Sequence, residues 1–244
     1  MTLNKSLFLC LLALALILGI ETYTNLDILV QNHFYLPQQR EWLINAEKHK
    51  HLTYFFYTGL KCFLLICALG CLSNILFSFK IHNLRQNNRF CLIMLLSFII
   101  VPTLIAGAKS FTNVYCPYQL DIYNGFFPFV RVLESYPADF IQLKIGRCFP
   151  AGHSTAGFAF LGLFYAFQKK SYRYLGLTTG LLLGWIAGIY QMLRGQHFLS
   201  HTLFSMVAAF MLVILINQLV KKIIQKKPNL FTASLYTFLT ESVE

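Results

Sequence analysis

Three clusters of residues combine histidines, cations and glycine, which are the residue types that phosphoryl transfer requires. The first cluster contains Lys109, the second reads RCFPAGHS and contains His153, and the third reads RGQHFLSH and contains His197 and His201. One histidine can attack phosphorus as a nucleophile, and another can protonate the departing alkoxide. We therefore expect hydrolysis through a phosphohistidine, with His197 as the nucleophile and His153 as the general acid.

Each of the three clusters contains a cation that would bind phosphate oxygens. Arginine can donate two parallel hydrogen bonds to a phosphate, whereas lysine acts as a point charge, and both stabilise negative charge in the transition state. The glycine before His153 is expected at the start of a helix, where free backbone N–H groups also favour an anion. The predicted phosphate-binding residues are Lys109, Arg147, Arg194 and Gly152.

The elements that must position these clusters are predicted to be transmembrane helices. Of the 244 residues, 57% are hydrophobic and 12% are charged, whereas a soluble domain has about 25% charged residues. Apolar runs long enough to span a bilayer recur along the chain. We expect an all-α polytopic membrane bundle of six transmembrane helices over 1–228, with the motifs within about 52–220, followed by a cytoplasmic tail at 229–244. The predicted spans are 6–20, 52–77, 90–108, 153–167, 174–192 and 198–220.

Basic residues indicate the orientation of this bundle. Those at the N-terminus and in the loops after the second, fourth and sixth spans lie on one side, which should be cytoplasmic. Both termini are then cytoplasmic, and the three clusters face the periplasm from a bacterial inner membrane. We interpret the first run as an uncleaved helix and 37–50 as a surface helix with Trp42 at headgroup depth. Lys61 either extends to the interface, which we favour, or reaches the active site.

The three clusters resemble the tripartite signature of the phosphatidic acid phosphatase type 2 superfamily, which is K-x6-R-P, P-S-G-H and S-R-x5-H-x3-D. The motifs occur in the same order between helices, and the resemblance covers most of the chain from about residue 52 to 220. It implies a membrane phosphatase that needs no metal, with the third motif's histidine as the nucleophile. The matching positions are Lys109, Pro117, Pro150, Gly152, His153 and His197.

Four positions depart from this signature. In chain order, the residues that replace its arginine, serine, arginine and aspartate are Cys116, Ala151, Gln191 and His201. The segments YCPYQL, CFPAGH and RGQHFLSH are instead similar to a bacterial branch of the superfamily that resembles lipid A phosphatases. We expect Arg147 and Arg194 to supply the two missing guanidinium groups.

The lost aspartate leaves open which group orients the nucleophile. His201 would set the tautomer of His197 by a hydrogen bond, which is a weaker constraint than a carboxylate provides. Asp121 and Asp139 are the carboxylates nearby in sequence that could serve instead.

Two cysteines lie in the outer loops, one beside each of the first two motifs. On an oxidising face of the membrane, Cys116 and Cys148 could form a disulfide that ties these motifs together. Two buried thiols are the alternative.

The expected function is hydrolysis of a phosphomonoester or pyrophosphate on a lipid headgroup, and the resemblance favours lipid A. Undecaprenyl pyrophosphate, phosphatidic acid and phosphatidylglycerol phosphate stay open as substrates, as does transfer of the phosphoryl group to a second lipid. A non-catalytic lipid-binding or transport protein is the alternative from another class.

Other kinds of site fit the sequence less well. His197 and His201 have the spacing of a helical zinc site, but no H-E-x-x-H glutamate accompanies them, so no metal is expected. No phosphate loop or dinucleotide motif indicates a cofactor. The formal net charge of +11 reflects basic residues that flank the spans rather than a nucleic-acid surface. The expected partner is therefore a phosphorylated membrane lipid.

Overall fold

The structure, a computed structural model, describes residues 2–45, 47–142 and 144–231 and is built almost entirely from helices. The predicted all-α class is confirmed, whereas most of the predicted tail, from 232 on, lies outside the described residues. We number the helices α1 (Leu3–Tyr23), α2 (Leu26–Asn32), α3 (Lys50–Phe77), α4 (Asn88–Ala108), α5 (Thr155–Ala166), α6 (Lys170–Leu193) and α7 (Leu199–Lys226).

Five of these helices, α1, α3, α4, α6 and α7, are long and apolar enough to cross a membrane. The fourth predicted span, 153–167, forms the shorter helix α5, whose middle turn Ala159–Gly162 is a 3-10 helix. At the rise of these helices α5 is roughly 20 Å long, which is less than the hydrocarbon thickness of a bilayer. The described residues therefore support five spans, and the sixth is not confirmed.

The short helix α5 nevertheless runs along α4 in the opposite direction. At one end, the Arg89 side chain donates hydrogen bonds to the carbonyls of Tyr165 (2.6 Å) and Ala166 (3.0 Å). At the other end, a Cβ on Gly152 would lie 3.1 Å from Cε of Lys109. The two ends of the segment 152–166 thus lie beside opposite ends of α4. This arrangement brings His153 next to Lys109.

Small residues let α5 approach the backbone of α6 closely. A Cβ on Gly157 would lie 2.4 Å from the backbone nitrogen of Gly184, and a Cβ on Gly180 would lie 2.5 Å from that of Leu161. A larger side chain at either position would push the two helices apart. This contact fixes the helix that begins two residues after His153.

The core lies where α4, α5 and α7 meet, and α1 packs on the outside of α7. Helix α3 packs against α4 and contains a π-helical segment, Tyr54–Gly59, directly after its first turn. The fully buried apolar side chains of the core include Ile93, Val101, Phe158, Leu161, Ala209 and Val213.

The stretch 37–50 does not form the surface helix expected from the sequence. A hairpin of β1 (Tyr35–Leu36) and β2 (Glu41–Trp42) occupies its first part, with Tyr35 opposite Trp42. Proline favours a turn after the first strand, and a cross-strand aromatic pair stabilises the hairpin. The Trp42 ring lies on Gly195, where a Cβ would be 2.3 Å from Cε2 of the indole. Trp42 therefore supports the turn between α6 and α7 from outside.

Candidate active site

The two histidines expected to do the chemistry are in direct contact. His153 lies just before α5 and His197 lies in the turn between α6 and α7, and His153 Nδ1 is 3.1 Å from His197 Nε2. Two ring nitrogens at this distance form a hydrogen bond only if one carries a proton and the other does not. The pair is therefore one donor and one acceptor.

The other nitrogen of His197 indicates which ring donates. His197 Nδ1 is 3.5 Å from Sγ of Cys148, which forms a disulfide with Cys116. A disulfide sulfur has no hydrogen and can only accept. The tautomer that satisfies both contacts has the proton of His197 on Nδ1, with Nε2 accepting from His153. The lone pair of His197 is thus on Nε2, where it accepts the hydrogen bond from His153.

Burial keeps both rings neutral. His197 is 1% exposed, and desolvation lowers its pKa well below the ordinary range, with the charge of Lys109 acting in the same direction. Desolvation likewise lowers the pKa of His153 to about 3, and the charges of Lys109, Lys61 and Arg194 add to that effect. At neutral pH the pair carries no charge, although cations surround it.

Two of the predicted phosphate-binding cations lie at this pair, and neither forms a salt bridge with an acidic residue in the described part of the chain. The ammonium group of Lys109 lies beside the backbone of Gly152, within 3.5 Å of where a Cβ would be. The guanidinium of Arg194 lies 5.3 Å from the Tyr190 ring centroid, and its buried Nε has no hydrogen-bond partner among the described residues. A buried donor without a partner is costly. An anion that bound here would satisfy it.

Lys61 is a third cation near the pair. Its Nζ lies 3.9 Å from the centroid of the Tyr57 ring, and that ring lies 5.0 Å from the ring of His153. The favoured sequence interpretation, extension to the interface, does not describe this contact, whereas the alternative, a lysine that reaches the site, agrees with it.

Arg147 and Gly152 are placed differently from expectation. Arg147 is exposed and lines a separate cavity with Lys144, and its charge does not contribute to the shifts at either histidine. Gly152 lies at the site, but the helix begins three residues later at Thr155. The predicted helix N-terminus is therefore displaced along the chain, since the residues from Cys148 to Gly152 pack as a non-helical segment.

His201 packs beside His197 without a hydrogen bond to it. The ring centroids are 5.9 Å apart, and the buried Nδ1 of His201 has no partner among the described residues. The expected tautomer-setting bond is thus not seen, and the contact with the disulfide sulfur occupies that nitrogen of His197. The two alternative carboxylates, Asp121 and Asp139, are both exposed.

A carboxylate that sequence reasoning missed, Asp27 of α2, binds the start of α7. One of its oxygens accepts from the backbone N–H of Ser200 at 2.9 Å, and the other accepts from the Ser200 hydroxyl. Burial raises the pKa of Asp27. The available signal was its position in the apolar run LDILV, where a lone acidic residue needs a partner.

One group of side chains has the spacing of a metal site. The ligand atoms of Cys116, Cys148 and His197 lie within 4.8 Å of one another. Cysteine binds metals as a thiolate, and both sulfurs are joined in the disulfide. These residues therefore fit a metal only in the reduced protein.

Comparisons with known proteins agree with the arrangement of the motifs. The family model of the PAP2 superfamily, the phosphatidic acid phosphatase type 2 proteins, matches residues 89–225, which is more than half of the chain. No curated protein and no solved structure matches it. The matched region runs from the start of α4 almost to the end of α7 and contains all three clusters. This chain, a membrane protein by its apolar helices, therefore belongs to the PAP2 superfamily, whose members are phosphatases.

Proposed function

We propose that this protein is a membrane phosphatase that removes phosphate from a lipid headgroup through a phosphohistidine. The observation that carries the proposal is the hydrogen bond between His153 and His197, buried among Lys109 and Arg194. A neutral buried imidazole is a nucleophile, and cations without acidic partners favour a phosphate.

In the first step Nε2 of His197 attacks phosphorus, and the bond from phosphorus to the lipid oxygen breaks. The leaving alkoxide takes a proton from His153. A phosphate monoester is partly protonated near neutral pH, and its negative charge raises the pKa of His153, so the substrate supplies the conditions in which this ring binds a proton. In the second step His153 accepts a proton from water, which attacks the phosphohistidine and releases inorganic phosphate and His197.

The cations stabilise the phosphoryl group through both steps. Lys109 and Arg194 neutralise the charge on its oxygens as the bond to the leaving group breaks. Lys61, which stacks on Tyr57 at the His153 side, provides a further positive charge.

We favour lipid A as the substrate, on the resemblance of the motifs CFPAGH and RGQHFLSH to that bacterial branch. The proposed location is the bacterial inner membrane with the site facing the periplasm. The disulfide of Cys116 and Cys148 supports this side, because disulfides persist in the periplasm and are reduced in the cytoplasm.

The first test is phosphate release from phosphatidic acid, phosphatidylglycerol phosphate, undecaprenyl pyrophosphate and lipid A by the purified protein. We expect release that survives EDTA and falls by roughly 1,000-fold or more in His197→Ala, because the nucleophile is lost. His82→Ala is the matched control, since this histidine is exposed beyond the opposite end of α4. No release from any lipid, or equal release by His197→Ala, would overturn the proposal in favour of a lipid-binding protein.

A further inference from the structure

A second cationic cavity lies beside the histidine site and is not used by the chemistry described above. It has a volume of about 560 Å³ and lies between the segments 115–119 and 144–147 of the long outer loop. Lys144 and Arg147 line it, together with Tyr118 and Gln119. None of the residues that line it is acidic.

The polar groups of this cavity have unused hydrogen-bonding capacity. In the described part of the chain, the charged groups of Lys144 and Arg147 make no salt bridge and no hydrogen bond, and both side chains are exposed. The Oε1 atom of Gln119 accepts from the backbone N–H of Cys116 at 3.1 Å, which leaves its amide nitrogen free to donate. Two cations and an amide donor around one cavity match an anion of phosphate size.

The walls of the cavity are held in fixed positions. The amide side chains of Asn113 and Gln142 hydrogen-bond each other at 2.7 Å, and Asn113 also accepts from the backbone N–H of Gly146 at 2.9 Å. The hydroxyl of Tyr115 donates to the Lys144 carbonyl, and its ring stacks on Phe127 with centroids 3.8 Å apart. The segment 144–147, which carries both cations, is thus hydrogen-bonded to the segment 113–115 within the first motif.

The disulfide separates this cavity from the nucleophile. Cys116 lines the cavity, and its partner Cys148, which follows Arg147 in sequence, has its sulfur 3.5 Å from His197 Nδ1. The cavity therefore lies on the side of His197 that faces away from His153. A lipid headgroup with two anionic groups could occupy both sites at once by extending past the disulfide.

We propose that Lys144 and Arg147 bind a second phosphate of the same lipid headgroup whose first phosphate is attacked by His197. This inference rests on the proposed function and specifies its substrate class, namely lipids that carry two phosphates. Arg147 is then a specificity residue rather than a ligand of the transferred phosphoryl group.

Kinetics with matched lipids test the inference. In Lys144→Gln/Arg147→Gln we expect KM for lipid A with two phosphates to rise about tenfold with kcat unchanged, and kcat/KM for phosphatidic acid to stay the same. Arg40→Gln/Lys50→Gln removes the same charge from exposed residues elsewhere and should leave KM and kcat unchanged for both lipids. Equal effects of the cavity variant on both lipids, or no effect on either, would overturn the inference.

A binding measurement separates failure of this inference from failure of the proposed function. In His197→Ala, which is expected to turn over little substrate, labelling of Lys144 by an amine-reactive ester is read by mass spectrometry. We expect lipid A with two phosphates to protect Lys144 severalfold, whereas phosphatidic acid and inorganic phosphate at the same concentration do not. Protection by inorganic phosphate or phosphatidic acid alone, or protection by neither lipid, would contradict a site for a second headgroup phosphate.

Discussion

At the scale of single residues, the site depends on neutral histidines among cations. His197 and His153 share one proton in their hydrogen bond, and the disulfide sulfur accepts from the other side of His197. The family's orienting aspartate would add a negative charge that this arrangement lacks. The ring is oriented here by a sulfur that cannot take its proton, so His197 keeps its lone pair on Nε2.

We predict that His153 stays neutral at pH 5 in the folded protein. Desolvation and the nearby cations lower its pKa to about 3, whereas the pKa of a histidine in an unfolded chain is about 6.5. The measurement is the histidine ring carbon shift by NMR in detergent, with the signal assigned by its loss in His153→Gln.

Lys109→Met provides the matched test of the cause. Removing this cation should raise the pKa of His153 toward its ordinary value, because a nearby positive charge disfavours the protonated ring. A His153 signal that titrates near the ordinary value in the unsubstituted protein would contradict the burial seen here.

Motif spacing predicted the central residues of the site better than it predicted their neighbours. Lys109, His153 and His197 were predicted, and the structure brings them together. Arg147 was assigned to the same phosphate as a replacement for a guanidinium group missing from the signature, but adjacent side chains in a non-helical segment point in different directions. Asp27 of α2 binds the start of α7, next to His197. A contact between residues so far apart in sequence cannot be predicted from the spacing of a motif.

At the scale of elements, the short helix α2 is hydrogen-bonded to both sides of the turn that carries His197. Asp27 binds the start of α7, and one turn later Gln31 donates to the carbonyl of Met192 at the end of α6, at 2.8 Å. The two side chains lie on one face of α2, because they are four residues apart. This helix lies outside the matched region 89–225, so a segment beyond that region helps to position the third motif.

Asp27→Ala should lower kcat about tenfold with little change in KM. The substitution leaves the buried N–H of Ser200 unpaired and loosens the start of α7, next to His197. Steady-state kinetics on the best substrate measure the effect. Asp27→Asn keeps an oxygen for that N–H and should be milder, and Asp121→Ala serves as the control at an exposed outer carboxylate. Equal activity of Asp27→Ala and Asp121→Ala would show that α2 does not position the nucleophile.

Hydropathy predicted the five long helices, because each is a continuous apolar run. The run 153–167 is shorter than the about 20 residues that cross a bilayer, and the helix within it is shorter still, because the residues before Thr155 and after Ala166 are not helical. The hairpin at Tyr35–Trp42 was missed for another reason. Its aromatic residues are compatible with a surface helix until Tyr123, far along the chain, packs against Trp42 with ring centroids 5.0 Å apart.

At the scale of the whole molecule, the cysteines divide into two groups. Cys116 and Cys148 join the segment after α4 to the segment before α5, whereas the free cysteines belong to the helices. The free ones are Cys10, Cys62, Cys67, Cys71 and Cys91. This division is what a membrane protein acquires when its outer face alone is oxidising.

Protein purified without reductant and then denatured should take up five maleimides, and seven after reduction, because two of its seven cysteines are joined in the disulfide. Intact-mass spectrometry counts the labels. Cys116→Ala/Cys148→Ala should take up five in both conditions. Seven labels before reduction would place two thiols where the structure has a bond.

The lack of a carboxylate around the histidine pair also affects how a reaction ends. The charged groups that shift the pKa of His153 and His197 are all positive. None of these groups would therefore repel the phosphate product. Inorganic phosphate retains the charge that Lys109 and Arg194 bind, and the lipid that carried it there has already departed. In the proposed phosphatase, escape of phosphate rather than cleavage of the ester would then set the upper limit of turnover, and added inorganic phosphate would slow the reaction.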